Sequence, residues 1–155
     1  MQVPEYVYGN IAPTFSAFDD KGAFDADGQR NLMDFMESRG GISSYFVRSG
    51  MGQIYTYDET DFKALADCAC SHMEGRKPVL IGANGVWDRN YDKRPDAKVY
   101  MEECIRFAQY ARDAGASGVV YTMPEALVPA DGESRSDLVK RYCTTLCAGV
   151  DLPVF

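Results

Sequence analysis

The chain has a single histidine and no basic run longer than two residues. With a net charge of −7 and its Lys and Arg scattered, it has no electrostatic footprint for nucleic acid. No apolar stretch approaches the ~18–20 residues that a membrane span needs. The first residues, Met1–Asn10, show neither a basic n-region nor an apolar h-region, so a cytoplasmic protein is expected. Five cysteines are present: Cys68, Cys70, Cys104, Cys143 and Cys147. An odd count in a chain of this size argues against a disulfide framework and for free thiols. No strand-like run is followed by a complete G-x-G-x-x-G or P-loop. Gly50-Met51-Gly52 lacks the third glycine, which ranks a small nucleotide-binding domain last.

What the sequence does have is an alternation. A short apolar run, a loop and a stretch of helical periodicity follow one another four times. The first strand is predicted over Tyr6–Phe15, and a helix capped by Asp25 places Leu32, Phe35 and Met36 on one stripe before Gly40-Gly41 ends it. The second strand is Ser44–Val47. Asp58 caps a helix with Phe62, Leu65, Ala66 and Ala69 on its apolar face. The third strand, Pro78–Gly82, is continuously apolar, as suits a parallel strand covered on both faces. A polar loop over 83–97 precedes a helix with Met101, Cys104, Ile105 and Ala108 on one side. The fourth strand is Gly118–Tyr121. Ser134 or Ser136 caps a last helix bearing Leu138, Tyr142 and Leu146, and Leu152–Phe155 opens like a fifth strand.

Alternating strands and helices imply parallel β-α units with right-handed crossovers. Four units suit either a small doubly wound sheet or half of a (β/α)8 barrel, and a complete barrel needs ~250 residues. The onset of a further strand favours the half barrel, with residues 1–155 read as the N-terminal half of one barrel domain.

The order of several segments resembles the dihydrodipicolinate synthase and N-acetylneuraminate lyase family of class I aldolases. Gly9-Asn10-Ile11-Ala12-Pro13 and Asp19-Asp20-Lys21-Gly22-Ala23-Phe24-Asp25 are similar to the family's first strand and the turn after it. Ser49-Gly50-Met51-Gly52-Gln53 followed by Thr56-Tyr57-Asp58-Glu59 falls where the family has G-[ST]-T-G-E and T-L-x-x-E. Lys77–Gly82, Ala111–Val120 and Asp151–Val154 resemble its third strand, the approach to its fourth and the approach to its fifth. The resemblance implies a TIM barrel whose active-site lysine, on strand six, forms a Schiff base with a pyruvate-type α-keto acid. A tyrosine ending strand five shuttles protons. Both positions fall beyond Phe155, so the resemblance implies no catalytic residue within this chain. It also implies no cofactor, a small-molecule partner and a homo-oligomer.

Within the chain the resemblance assigns substrate binding to Ser49, Gly50, Met51, Gly52 and Gln53, the loop that grips the keto-acid carboxylate. Gly50 and Met51 stand where the family has two hydroxyl residues, and Gln53 stands for its glutamate. Glu125 aligns with a tyrosine of the proton relay and is the remaining substrate-binding candidate, with a solvated loop carboxylate as the plain alternative. Ser16-Ala17 replaces the usual T-P. Cys68 with His72, and Cys143 with Cys147, have the i, i+4 spacing of paired metal ligands. Neither pair has further ligands nearby in sequence, so no metal is expected. Trp87–Asp92 offers a pocket wall, a subunit contact or an exposed aromatic cap on the barrel mouth. Lys63, Lys77, Lys98 and Lys140 read as solvated surface. The competing function is a non-catalytic barrel segment that binds a small carboxylate or assembles with a partner chain, its open sheet edges inviting a second strand.

Overall fold

In the computed structural model, which describes residues 3–155, four parallel strands alternate with four helices. The strands are β1 (Ile11–Pro13), β2 (Ser44–Val47), β3 (Val79–Gly82) and β4 (Gly118–Val120). The helices are α1 (Ala26–Ser38), α2 (Glu59–Met73), α3 (Ala97–Asp113) and α4 (Arg135–Gly149). The sheet order is β1-β2-β3-β4, with every pairing parallel. Val154 pairs in parallel with Val119 on the far side of β4, where a fifth strand would lie.

This order separates the two architectures that alternation leaves open. A doubly wound sheet reverses direction at a switch point and carries helices on both faces. Here each unit is laid beside the last without reversal. The helices meet one row of strand residues, Tyr45, Val47, Val79, Ile81 and Val119, which forms the main core with Met33, Phe62, Phe107 and Ala108. On the opposite face Pro13 is exposed, and Phe46 and Val120 are only half-buried. A parallel sheet laid in chain order under a single helical layer has the topology of an arc of a (β/α)8 barrel, four of its eight units.

Each helix begins where the side-chain chemistry sets it. Asp25 and Asp58 accept the Gly28 and Asp61 N–H groups at 3.0 and 2.9 Å. Asp96 caps α3 through Lys98 and Val99. Ser134, rather than Ser136, caps α4, in a reciprocal box with Asp137. Phe62 of α2 stacks on Phe107 of α3 with centroids 4.2 Å apart. Burying such rings stabilises by roughly 1.5–3 kcal/mol each. A second cluster joins α3 to α4 through Tyr100, Met101, Cys104, Leu138 and Tyr142.

Three expectations need correction. The run from Tyr6 is not strand: Glu5–Tyr8 form a 3-10 turn, and β1 keeps only Ile11–Pro13. The inner stripe of α1 is Gln29 and Met33, with Phe35 left 55% exposed. Gln29 is buried because its amide binds the Ala17 N–H and the Phe15 carbonyl, so a polar residue holds a core position that a hydrophobic pattern overlooks. Trp87 does not cap the mouth as an exposed ring. It is buried against the cluster between α3 and α4.

Candidate functional site

The C-terminal ends of barrel strands carry the chemistry of this fold class. Here they bring together Thr14 after β1, the loop 48–53 after β2, Ala83 and Asn84 after β3, and Thr122 after β4. Ser49 is buried. Its Oγ accepts the Gly52 N–H at 3.1 Å and donates to the Thr14 carbonyl at 3.4 Å. Ser16 Oγ donates to the Gly52 carbonyl at 2.5 Å. The loop after β2 is thereby fastened to the end of β1. Gly52 is required there, since a Cβ would stand 2.9 Å from the Thr14 carbonyl oxygen. Gln53 closes the turn in the left-handed region at φ 61°.

Of the five loop residues predicted to bind substrate, Ser49 and Gly52 are inside the turn and use their polar groups to build it. Gly50, Met51 and Gln53 face outward. Among the described residues, its chain neighbours aside, nothing stands within 4 Å of a Cβ placed on Gly50. Among the described residues no internal bond uses the Gly50 or Met51 N–H, so the pair is free to meet an anion. Met51 and Gln53 line a depression of about 430 Å³ with Phe15, Ser16 and Phe18. A larger depression, about 640 Å³, lies at the opposite ends of β3 and β4, around Lys77, Pro78 and Ser117.

Glu125 is not part of the 430 Å³ depression. It accepts the Tyr91 hydroxyl, and the Arg89 guanidinium lies 3.5 Å away; both hold its carboxyl below the usual range. Arg94 donates to its backbone carbonyl. Glu125 therefore belongs to a cluster with the loop after β3. Arg89 joins that cluster to the loop after β2 by lying over the Tyr55 ring at 4.6 Å.

Sequence reasoning missed Arg48, Thr14 and Asn84. Arg48 is fully buried with φ 51°, its guanidinium 5.2 and 5.4 Å from the Phe62 and Phe107 ring centroids. Burial pulls it down to about 10, leaving it charged at neutral pH. Thr14 Oγ1, also buried, has no partner among the described residues. Asn84 Nδ2 and Oδ1 clasp the Thr122 carbonyl and N–H at 2.8 and 3.0 Å, tying β3 to β4. Nothing in the sequence marked these three, because burial of a polar group is decided by tertiary packing.

The cysteine pairs do not converge on ligand geometry. Cys68 turns to the Ala26 carbonyl and Arg30, and His72 Nε2 binds Asp34 at 2.9 Å. Among the described residues no group of three or more His, Cys, Asp and Glu is placed to hold a metal. Nor is any helix long and apolar enough to cross a membrane.

No family model matches the chain. It is 31% identical over 146 residues to the Escherichia coli K12 protein YagE, provisionally named a 2-dehydro-3-deoxy-D-gluconate aldolase. The crystal structure of YagE in complex with pyruvate describes a member of the dihydrodipicolinic acid synthase family. It superposes with a TM-score of 0.76 at 28% identity, covering 96% of this chain and 44% of that one. The chain belongs to the dihydrodipicolinate synthase and N-acetylneuraminate lyase family. Another member, the 5-dehydro-4-deoxyglucarate dehydratase of Pseudomonas putida, is 25% identical over 92% of this chain. N-acetylneuraminate lyase from Mycoplasma synoviae shares the fold, with a TM-score of 0.77 at 12% identity over 97% of the chain. The chain spans about two fifths of the length of the curated relatives it matches, 42% of both YagE and the dehydratase.

Proposed function

We propose that this chain supplies the first four β-α units and the carboxylate-binding loop of a lyase acting on a 2-keto-3-deoxy sugar acid. The reaction proceeds through a Schiff base of the pyruvate type. The supporting observation is the turn at Ser49–Gln53. It is tied to Thr14 and Ser16 after β1, yet leaves the Gly50 and Met51 N–H groups without an internal bond among the described residues, and Met51 lines a depression at the C-terminal face.

In this reading the two N–H groups donate to the α-carboxylate, and the bare Gly50 allows close approach to the backbone. That fixes the adjacent ketone for attack by a lysine amine outside these 155 residues. Condensation releases water, and the resulting imine withdraws electrons from the neighbouring carbon. A C–C bond then breaks, or a hydroxyl leaves as water. A tyrosine, also outside these residues, moves the proton. YagE and the Pseudomonas putida dehydratase carry names for these two outcomes on closely related sugar acids. Five free cysteines fit a reducing, cytoplasmic setting, and a homo-oligomer fits the family.

The test is intact mass spectrometry of the natural polypeptide carrying this chain, after incubation with pyruvate and borohydride. A reduced pyruvate adduct on a lysine is expected; its absence would overturn the reading. A second reading, a non-catalytic segment that assembles with a partner chain, is favoured by the partly uncovered sheet face at Pro13, Phe46 and Val120. The same measurement separates the two, since that segment takes up no pyruvate covalently.

A further inference from the structure

We infer that Arg89 is a specificity-determining residue that binds the second carboxylate of a dicarboxylic 2-keto-3-deoxy sugar acid. This rests on the function proposed above and deepens it, because it names the end group of the substrate.

The placement is unusual for a surface arginine. Arg89 sits in the long loop between β3 and α3, and its guanidinium lies over the Tyr55 ring of the loop after β2 at 4.6 Å. Its Nη2 is 3.5 Å from Glu125 Oε2, in the loop after β4. One side chain therefore spans three consecutive loops at the C-terminal face. The loop that carries it is built rather than slack. Trp87 is buried and its Nε1 donates to the Asn90 carbonyl at 3.3 Å. Asp88 accepts the Asn90 N–H and Asn90 accepts the Asp92 N–H, at 2.9 and 3.0 Å. Between these bonds Arg89 itself takes φ 61°, a left-handed conformation that a non-glycine residue adopts only when its surroundings hold it there.

The guanidinium is held in place but not saturated. Its side chain is 49% exposed, and 3.5 Å is a long contact for an ion pair. Glu125 has a closer partner in the Tyr91 hydroxyl, so its carboxylate stays in place when Arg89 engages another anion. Nη2 donates to Glu125 at 3.5 Å, whereas Nε and Nη1 make no side-chain bond among the described residues, so one edge of the planar group remains to receive a carboxylate. The keto-acid end is served by the neutral N–H pair at Gly50 and Met51. Tyr55 follows that turn by a few residues, so Arg89 is set one loop further along the same rim. In this assignment a sugar acid held at the turn extends its far end along the rim toward Tyr55 and Arg89, away from the depression at Phe15 and Phe18. There a terminal carboxylate gains a charge-assisted pair that a hydroxymethyl cannot make. The related names divide at this atom, since the gluconate derivative ends in a hydroxymethyl and the glucarate derivative in a carboxylate.

The experiment uses the natural polypeptide and its Arg89→Met and Arg89→Lys variants. It compares kcat/KM for 5-keto-4-deoxyglucarate and 2-keto-3-deoxygluconate, with the pyruvate–borohydride adduct followed in parallel. The unchanged protein is expected to prefer the dicarboxylate. Arg89→Met should lose about ten- to a hundredfold on it, mainly through KM, as for one hydrogen bond to a charged group. Turnover of the monocarboxylate should change by less than about twofold, and Arg89→Lys should fall between. Equal losses on both substrates, or no loss on the dicarboxylate, would overturn the assignment. If the adduct still forms in those cases, the lysine-imine reading stands and only the role of Arg89 fails. If no adduct forms in any protein, both fail.

Discussion

Arg48 Nη1 lies 2.6 Å from the carbonyl oxygen of Asn84 and 3.0 Å from that of Gly82, so a buried cation at the end of β2 grips the end of β3. Asn84 in turn holds Thr122 on both its N–H and its carbonyl, and Tyr142 of α4 donates to the same Thr122 carbonyl at 3.0 Å. With Ser49 on Thr14, these contacts form a belt along the C-terminal rim from β1 to β4. The loops at this face are set by this belt rather than by the three- and four-residue strands alone.

Arg48 is in no ion pair among the described residues, and its Nε and Nη2 lack partners. Desolvation of the charge therefore opposes two carbonyl bonds and the contacts with aromatic rings. Replacement of buried ion pairs by apolar residues is often close to neutral because their desolvation cost disappears, and the unpaired Arg48 carries the same cost. We expect Arg48→Met to alter unfolding free energy by less than about 1 kcal/mol in urea titration. It should nonetheless speed hydrogen exchange at Gly85 and Val86, whose loop it releases. A loss above about 3 kcal/mol, typical of breaking a compensated buried pair, would show that the guanidinium is stabilised by more than these contacts.

Gly52 offers a sharper test of the loop. A methyl there would meet the Thr14 carbonyl at 2.9 Å, Ser16 Oγ at 3.1 Å and the Ser49 N at 3.2 Å. Two of those three are backbone atoms and cannot rotate away. Gly52→Ala should destabilise by about 1–3 kcal/mol, the range for overpacking, and should weaken uptake of a keto acid by the natural polypeptide. Gly50→Ala, which meets nothing within 4 Å, should leave stability within about 0.5 kcal/mol of the unchanged protein. Equal destabilisation by the two would refute the asymmetry of the turn.

The contrast between those two glycines marks what the sequence could reveal. Alternation, helix caps at Asp25 and Asp58, and the apolar run of β3 were legible because each depends on neighbours in the chain. Ser44–Val47 coincides with β2 for the same reason. The inner position of Gln29 and the exposure of Phe35 were not, since both follow from how α1 lies on the loop after β1. Of the site, the Ser49–Gln53 loop was visible as a motif, while its fastening through Ser16 and Thr14 needed three dimensions. Glu125 was visible only by alignment, and its partners Tyr91 and Arg89 come from a loop whose length hid its order. Arg48 carries no mark in the sequence, since its burial is set by Phe62 and Phe107.

Thiol chemistry separates the cysteines by depth. Cys143 and Cys147 are exposed on α4, whereas Cys68, Cys70 and Cys104 are buried. Burial pushes Cys70 and Cys104 up to about 12, so neither supplies thiolate at neutral pH. A thiol reagent at pH 8 should titrate two groups in the folded protein and five in denaturant. Fast reaction of a third thiol without denaturant would place one of the buried cysteines nearer the surface than the fold has it.

The last relationship is proton-linked. Arg141 forks onto both oxygens of Glu133 at 2.9 Å, and the Ala130 N–H adds a third bond. Together they hold the Glu133 carboxyl down at about 2, against an ordinary value of 4.5. Below 4.5 the unfolded chain binds a proton here that the folded chain refuses, so the contact's contribution to stability falls as pH drops. It is fully present above 4.5 and gone near 2. Arg141→Met should therefore lower the thermal midpoint at pH 6 and leave it almost unchanged near pH 2, with the gap closing between. The ion pair sits near the surface, so high salt should narrow the gap at pH 6 as well. A gap independent of pH would assign the loss to the packing of the Arg141 stem on α4 rather than to the carboxylate it holds.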